Sequence, residues 1–319
     1  MSNPRISVII PCFNARRWIC EAIASVFAQK FDGLEIILID DGSTDGSAEV
    51  VRKAFNDVRI ITTENRGPSI ARNYGTEQSR GEYIQYLDAD DMLAGGKLCE
   101  QYNILQATHA DVAYGRWHIM SRDWRGAYVR KNIAGKPLQD PEIDLFTDAW
   151  FPPAAYLFRR SIVEKVGGWR FDLPVIQDAR FALDCALYGG RFIYCDGLAA
   201  CYRKHERGSV STRNRQAFIR DCFCNAVSVE EWWRQHGGII AKRKKALVQV
   251  YEYVARESIG FDLTLHKKSV SMIRQLDPAY RPTRCLRFCL CQRLCGYEKA
   301  ELIGYWYRSF RNALCGEKR

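Results

Sequence analysis

The stretch EYIQYLDADDMLAGG, residues 82–96, decides the fold of this chain. Its first half, EYIQYLD, reads as a buried strand, and directly behind it stand three carboxylates, Asp88, Asp90 and Asp91. Folding alone has no use for three like charges at the end of a core strand, because they repel one another. The arrangement becomes tolerable when a cation sits among them. Ligand sets made only of oxygen select hard divalent ions such as Mg2+ or Mn2+, which leave coordination positions open for substrate phosphates. A solvated acidic turn is the plainer reading of a D-x-D taken alone, so the surrounding sequence has to choose.

Upstream, short apolar runs alternate with helical patterns. ISVIIP (6–11) reads as a buried strand, and in NARRWICEAIASVFAQ (14–29) the residues Trp18, Ile19, Ala22, Ile23, Val26 and Phe27 recur at helical spacing. LEIILID (34–40) is a second strand, followed by the turn-rich DGSTDGS, whose Ser or Asp can cap a helix over AEVVRKAF. VRIITTE (58–64) is a third strand, and NRGPSIARNYGTEQS is a helix with Pro68 near its first position, where a missing N–H costs nothing. With EYIQYLD as the fourth strand, strict alternation argues for parallel βαβ units in an α/β layer structure. Ligands of open α/β sheets sit outside the carboxyl ends of the strands. Pro11 and Asn14, Asp40 and Asp41, Asn65 and Arg66, and Asp88 to Asp91 follow the four strands in turn, so four strand ends converge on one rim.

Downstream the pattern is less regular. KLCEQYNILQATH (97–109) reads as a helix, DVAYGRWHIM (111–120) as a strand, RKNIAGKPLQDPEID (130–144) as a loop, QDARFALDCALYGG (177–190) as a helix and RFIYCDGLAACYRKH (191–205) as strand material. From about 214 the sequence has helical periodicity and an excess of Lys and Arg, which sets a boundary near 210.

Composition narrows the partners. The 319 residues are 47% hydrophobic, ordinary for a packed core, and carry a net charge of +10, which favours anionic partners. The 13 cysteines are odd in number and scattered, and no export signal precedes them, so free thiols and a cytoplasmic setting are expected. No window of about 18 apolar residues suggests a membrane span.

Four motifs, ISVIIPCFNA, ILIDDGSTDGS, ENRGPSIARNYG and GEYIQYLDADD, occur in that order at regular intervals, and together they closely resemble the family 2 glycosyltransferases. The resemblance is strong over about 5–92 and weak over about 150–210. It implies a GT-A-type, mostly parallel sheet flanked by helices, with a donor half at about 1–95, an acceptor half at about 96–210 and a mainly helical, basic region over 211–319. It further implies that Pro11, Asn14 and Asp41 hold the nucleoside, that Arg72 lies near base and phosphates, and that Asp88 approaches the ribose or metal. Asp90, with Asp88, would ligate Mn2+ or Mg2+, and His205 of YRKHERGSVS would approach the diphosphate or metal.

GGWRFDLPVIQDARFALDCALYGGRF resembles the family segment in which the Asp of an acidic pair acts as base, which points to Asp178. Gln177 stands where the family commonly has Glu, and Ala179 and Arg180 replace an aromatic, so Asp172 and Asp184 compete for the role. Trp150, Phe151 and Trp169 offer stacking surfaces for an acceptor sugar.

The activity implied is inverting, metal-dependent transfer of a sugar from a nucleoside diphosphate donor, a UDP-sugar foremost, to a glycan or lipid-linked hydroxyl in cell-surface polysaccharide or glycolipid assembly. The alternatives are a non-catalytic nucleotide- or glycan-binding relative and a sugar-nucleotide nucleotidyltransferase. The latter would want a Gly-rich phosphate loop that PCFNARRW lacks, and no nucleic-acid motif is found.

Read as a helix, AELIGYWYRSFRNALCG (300–316) gathers Leu302, Ile303, Trp306, Tyr307, Phe310 and Leu314 on one side, with Arg308 and Arg311 toward the other. It suits an anionic membrane surface or packing onto the catalytic domain equally well. Cys285, Cys289, Cys291 and Cys295 fall on two faces about 120° apart by the helical period, which argues against one Zn2+ site.

Overall fold

The protein was analysed as a computed structural model that describes residues 4–122, 127–205, 210–280, 299 and 303–306. The chain divides into two compact units, Met1–Ser209 and Val210–Arg319.

The first unit is built on one sheet. β1 (Ile6–Cys12), α1 (Ile19–Phe27), β2 (Leu34–Asp40), α2 (Ser47–Ala54), β3 (Val58–Thr62), α3 (Pro68–Glu77) and β4 (Tyr83–Tyr86) follow in strict alternation. They are succeeded by β5 (Met92–Leu93), α4 (Lys97–Thr108), β6 (Val112–Arg122), β7 (Tyr128–Ala134), α5 (Pro141–Thr147), β8 (Tyr156–Arg159), α6 (Arg160–Val166), α7 (Gln177–Leu187) and β9 (Phe192–Arg203). The sheet order is β3-β2-β1-β4-β8-β6-β9-β5, with β7 paired to β6.

The first four strands pair in parallel, as their alternation with helices demands. β1, β2 and β4 are buried almost throughout and therefore read as continuous apolar runs. Beyond β4 the sheet is mixed: β8 is antiparallel to β4 and β6, β6 and β9 are parallel, and β5 returns antiparallel to β9.

Register aligns the functional ends. Cys12 pairs with Asp40 and Asp40 with Thr62, and the Leu87 N–H donates to the Ile9 carbonyl at 3.0 Å, so the residues after all four strands emerge on one edge. Helix α3 lies close against this layer. Ala71 packs with Ile37 and Ile39, and a Cβ on Gly75 would collide with the Ile9 side chain.

Local expectations are refined in three places. The helix expected over 14–29 begins only at Ile19, and Trp18 is half-buried outside it. Gly46, not a side chain, holds the N-cap of α2, although Asp45 Oδ1 accepts the Ser47 N–H at 2.9 Å. The stretch 130–144 is not a loop, because β7 and α5 both fall within it.

The second unit contains α8 (Val210–Arg213), α9 (Arg215–Gln235), α10 (Ala241–Ser258) and α11 (Leu263–Leu276). Asn214 and Asp262 cap α9 and α11 by accepting the N–H groups of Ala217 and Leu265. Ile219, Val254 and Leu265 meet in its core. Among the described residues no helix is long and apolar enough to cross a membrane. The 285–295 cysteine group lies outside the described residues, as does the tail apart from 303–306, where Ile303 and Trp306 are exposed.

Candidate active site

The rim is laced together by its own polar residues. Asn14 adopts a positive φ of 51°, its N–H donates to Ser43 Oγ at 3.0 Å, and its Oδ1 accepts the Thr44 N–H at 2.9 Å. The turn after β1 is thereby tied to the turn after β2. Asp40 accepts the Ser43 N–H at 3.2 Å, a local turn bond. Asp41 does something else: its two oxygens accept the N–H groups of Arg66 and Gly67, at 2.9 and 2.8 Å, and so lash the third strand's loop to the second. Pro11 lies within β1 opposite Ile39. These residues share one edge, and Asn14 keeps its side-chain NH2 and Asp41 further lone pairs beyond these bonds.

Helix α3 carries the residues that join this rim to the later part of the chain. The buried Arg72 bonds Asp88 through Nη2, its guanidinium carbon lies 4.2 Å over the Trp169 ring, and its Nε and Nη1 have no protein partner. Asn73 clasps the Trp169 backbone from both sides, accepting its N–H at 2.7 Å and donating to its carbonyl at 2.9 Å. Ser69 Oγ bonds the Arg170 carbonyl and the Gln177 side chain. The clasp explains Gln177 physically: it meets a hydroxyl, to which a carboxamide bonds without bringing another charge beside Asp88 and Asp178.

The clasp delivers Asp178 on the first turn of α7. Trp150 Nε1 donates to its Oδ2 and the Ala179 N–H to its Oδ1, each at 2.8 Å. Burial raises its pKa above the ordinary carboxylate value, and the negative charge of Asp88 adds to that; the two N–H bonds and Arg72 oppose it. The competing carboxylates are both engaged elsewhere: Asp172 pairs with Arg170 at the surface, and Asp184 pairs with Arg180 at 2.7 Å in the interior. Asp178 is thus the carboxylate that stands with Arg72 and Asp88.

The remaining acids divide the work. Asp90 Oδ2 lies 2.6 Å from His205 Nε2, and both residues are about one third exposed. Asp91 is buried, accepts the Arg203 N–H at 2.8 Å, and leaves its other oxygen unpartnered. Burial, with Asp90 and Asp88 beside it, pushes its pKa well above the usual range. Burial, and then the charges of Asp91, Asp178, Asp90 and Asp88, raise the pKa of the Tyr202 hydroxyl above its ordinary value.

Of the expected aromatic surfaces, Phe151 and Trp169 are core residues, the latter stacked on Phe181 at 4.3 Å. Trp150 remains, half-buried against Trp117 and Tyr202. Trp18, expected only as an apolar helix position, and Tyr128, for which no role was expected, both pack against His205, and the Arg203 guanidinium lies over the rings of both.

As to a metal, no three His, Cys, Asp or Glu side chains among the described residues converge as a complete ligand set. Asp90 and His205 nevertheless form a two-residue donor set, and Asp88 is held by Arg72 rather than with them. Two protein ligands suit an ion that takes its other positions from phosphate oxygens and water.

The family model described as Glycosyl transferase family 2 matches residues 7–167. A protein of Haemophilus influenzae named "Uncharacterized glycosyltransferase" is 33% identical over 223 residues, covering 69% of this chain and 86% of that one. "Glycosyltransferase GlyG" of Streptococcus pneumoniae is 36% identical over 118 residues, covering 35% of this chain and 39% of the relative. Among solved structures, S. aureus TarS 1-349 in complex with UDP-GlcNAc aligns with TM-score 0.56 and 17% identity over 87% of this chain and 91% of its own. Mannosyltransferase PcManGT from Pyrobaculum calidifontis, in complex with GDP-Man and Mn2+, aligns with TM-score 0.56 and 18% identity over 100% and 89%. The two structures share the fold, and the sequence matches carry the assignment: this chain belongs to glycosyl transferase family 2 and is a glycosyltransferase.

Proposed function

We propose that residues 1–210 form the catalytic domain of an inverting, divalent-metal-dependent transferase, with the donor bound over about 1–95 and the acceptor over about 96–210. The observation that carries this reading is the grouping of Arg72, Asp88 and Asp178, in which Asp178 alone of three candidate acids is free of a cationic partner of its own. The donor is a nucleoside diphosphate sugar, a UDP-sugar foremost, as the UDP-GlcNAc complex of TarS and the GDP-Man complex of PcManGT suggest.

In the reaction the acceptor hydroxyl gives its proton to a carboxylate oxygen of Asp178, while its oxygen forms a bond to the anomeric carbon. The bond from that carbon to the diphosphate breaks on the opposite face, and the diphosphate leaves with the electron pair, so the configuration inverts. Trp150 and the Ala179 N–H fix the orientation of the base. The two unpartnered donors of Arg72 suit the charge that grows on the leaving oxygens. Asp90 and His205, with Asp88 near them, would hold Mn2+ or Mg2+, which when bound neutralises the diphosphate electrostatically. Asn14, Asp41 and Pro11 line the nucleoside end. A glycan or lipid-linked acceptor in cell-surface polysaccharide or glycolipid synthesis fits the half-exposed Trp150 and the basic C-terminal unit, which suits a peripheral position on an anionic inner membrane face.

The testing experiment is calorimetric titration of UDP, GDP, CDP and dTDP with Mn2+ and then with excess chelator. Binding of one nucleotide that disappears with the chelator supports the donor site. No binding under either condition removes it.

A further inference from the structure

Tyr128 opens β7, in a stretch whose sequence signals no chemistry, and its hydroxyl lies 3.2 Å from His205 Nδ1. The other nitrogen of the same ring lies 2.6 Å from Asp90 Oδ2. The Tyr128 ring is itself held: Trp18 meets it edge-on at 5.4 Å, and the Arg203 guanidinium lies 5.1 Å from its centre. Arg203 is buried, bonds Glu21 at 2.6 Å, lies 4.1 Å over Trp18, and donates its backbone N–H to Asp91. A hydroxyl is therefore presented from a braced support to the imidazole that faces the D-x-D loop.

A neutral imidazole carries one proton, so one nitrogen donates and the other accepts. With Asp90 accepting from Nε2, Nδ1 is an acceptor and needs a donor. For Nε2 to offer its lone pair to a cation the proton must reside on Nδ1, which then needs an acceptor. A hydroxyl serves both states, donating in the first and accepting in the second; a carboxylate serves only the second and a phenyl ring neither.

We propose that Tyr128 is a positioning residue for the transfer reaction: it fixes the His205 ring and keeps Nδ1 bonded in either tautomer, so that His205 changes from partner of Asp90 to ligand of a divalent ion without leaving a ring nitrogen unpaired. This rests on the divalent-ion reading above. Partners of this kind orient ligating histidines and raise their affinity for metal.

Tyr128→Phe removes the hydroxyl and keeps the ring that Trp18 and Arg203 contact. The test titrates Mn2+ into the full-length chain with whichever of the four nucleotides binds the wild-type protein, and compares wild type, Tyr128→Phe and His205→Ala. The expected result is Mn2+ affinity about 10-fold weaker in Tyr128→Phe, in the same direction as His205→Ala, with the thermal midpoint unchanged. In 15N-histidine spectra of the metal-free proteins, the Nδ1 signal of His205 should move between wild type and Tyr128→Phe. Tyr128→Phe with wild-type Mn2+ affinity, while His205→Ala loses it, overturns the proposal and leaves the metal reading standing. Wild-type nucleotide binding that is indifferent to chelator removes the metal reading and the proposal with it.

Discussion

At the scale of single residues, the proposed chemistry rests on the difference between one carboxylate and its neighbours. Asp172 and Asp184 have arginines of their own, whereas Asp178 has two N–H donors, half-buried surroundings and the charge of Asp88 close by. Asp178→Asn should keep the fold and nucleotide binding and lose transfer by about two to four orders of magnitude, the range for a general base; stopped assays beside calorimetry check both halves. Burial disfavours the charged form, so the pKa of Asp178 is raised, and the active, deprotonated form accumulates only as pH climbs through that raised value. The acid limb of kcat should therefore lie above the ordinary carboxylate range. Trp150→Phe removes one donor that favours the charged form, and should move that limb to still higher pH.

Elements decide whether these residues meet. Helix α3 has two jobs, packing on β1 and β2 through Ala71 and Gly75, and holding the 169–177 segment through Ser69 and Asn73. Substitutions on its two faces should separate the jobs. Gly75→Ala would force a methyl group against Ile9, and should cost about 1–3 kcal/mol of stability by overpacking, read in denaturant unfolding. Asn73→Ala removes both bonds to the Trp169 backbone, and should lower the transfer rate by more than its stability loss explains, because Asp178 loses its fixed approach to Arg72. Equal fractional losses of folded protein and of activity in Asn73→Ala would sink that account. The helix itself was legible: Pro68 at its start and the apolar spacing behind it are local signals. Its partner was not, since Trp169 is 96 residues away in sequence and the clasp uses main-chain groups that every residue carries.

Across the whole molecule, charge is unevenly divided. Beyond Ser209 lie 21 of the 47 Lys and Arg but only 10 of the 37 Asp and Glu, so that unit has a net charge of +11 and the first unit −1. The cluster Lys242 to Lys245 stands at the N-terminal end of α10, where the helix dipole disfavours cations. An anionic surface would relieve it. The full-length chain should sediment with vesicles containing anionic lipid and be released as salt rises, and the double variant Lys242→Glu, Lys245→Glu should bind more weakly, by about 1 kcal/mol for each lysine brought near the surface. Salt-independent sedimentation, or none, would count against a membrane role for this unit.

The amino-acid sequence by itself determined the alternation of strands and helices through Glu77, the common edge on which their polar ends emerge, and the family. All of these follow from hydrophobic period and turn chemistry acting over a few residues. Tertiary structure decided the antiparallel pairings beyond β4, the arginine pairing that engages Asp172 and Asp184 but not Asp178, and the setting of His205 beside Tyr128. The physical reason is the same in each case. Strand pairing, arginine partnership and burial are properties of groups far apart along the chain, and they acquire values only when packing brings those groups within a hydrogen bond of one another.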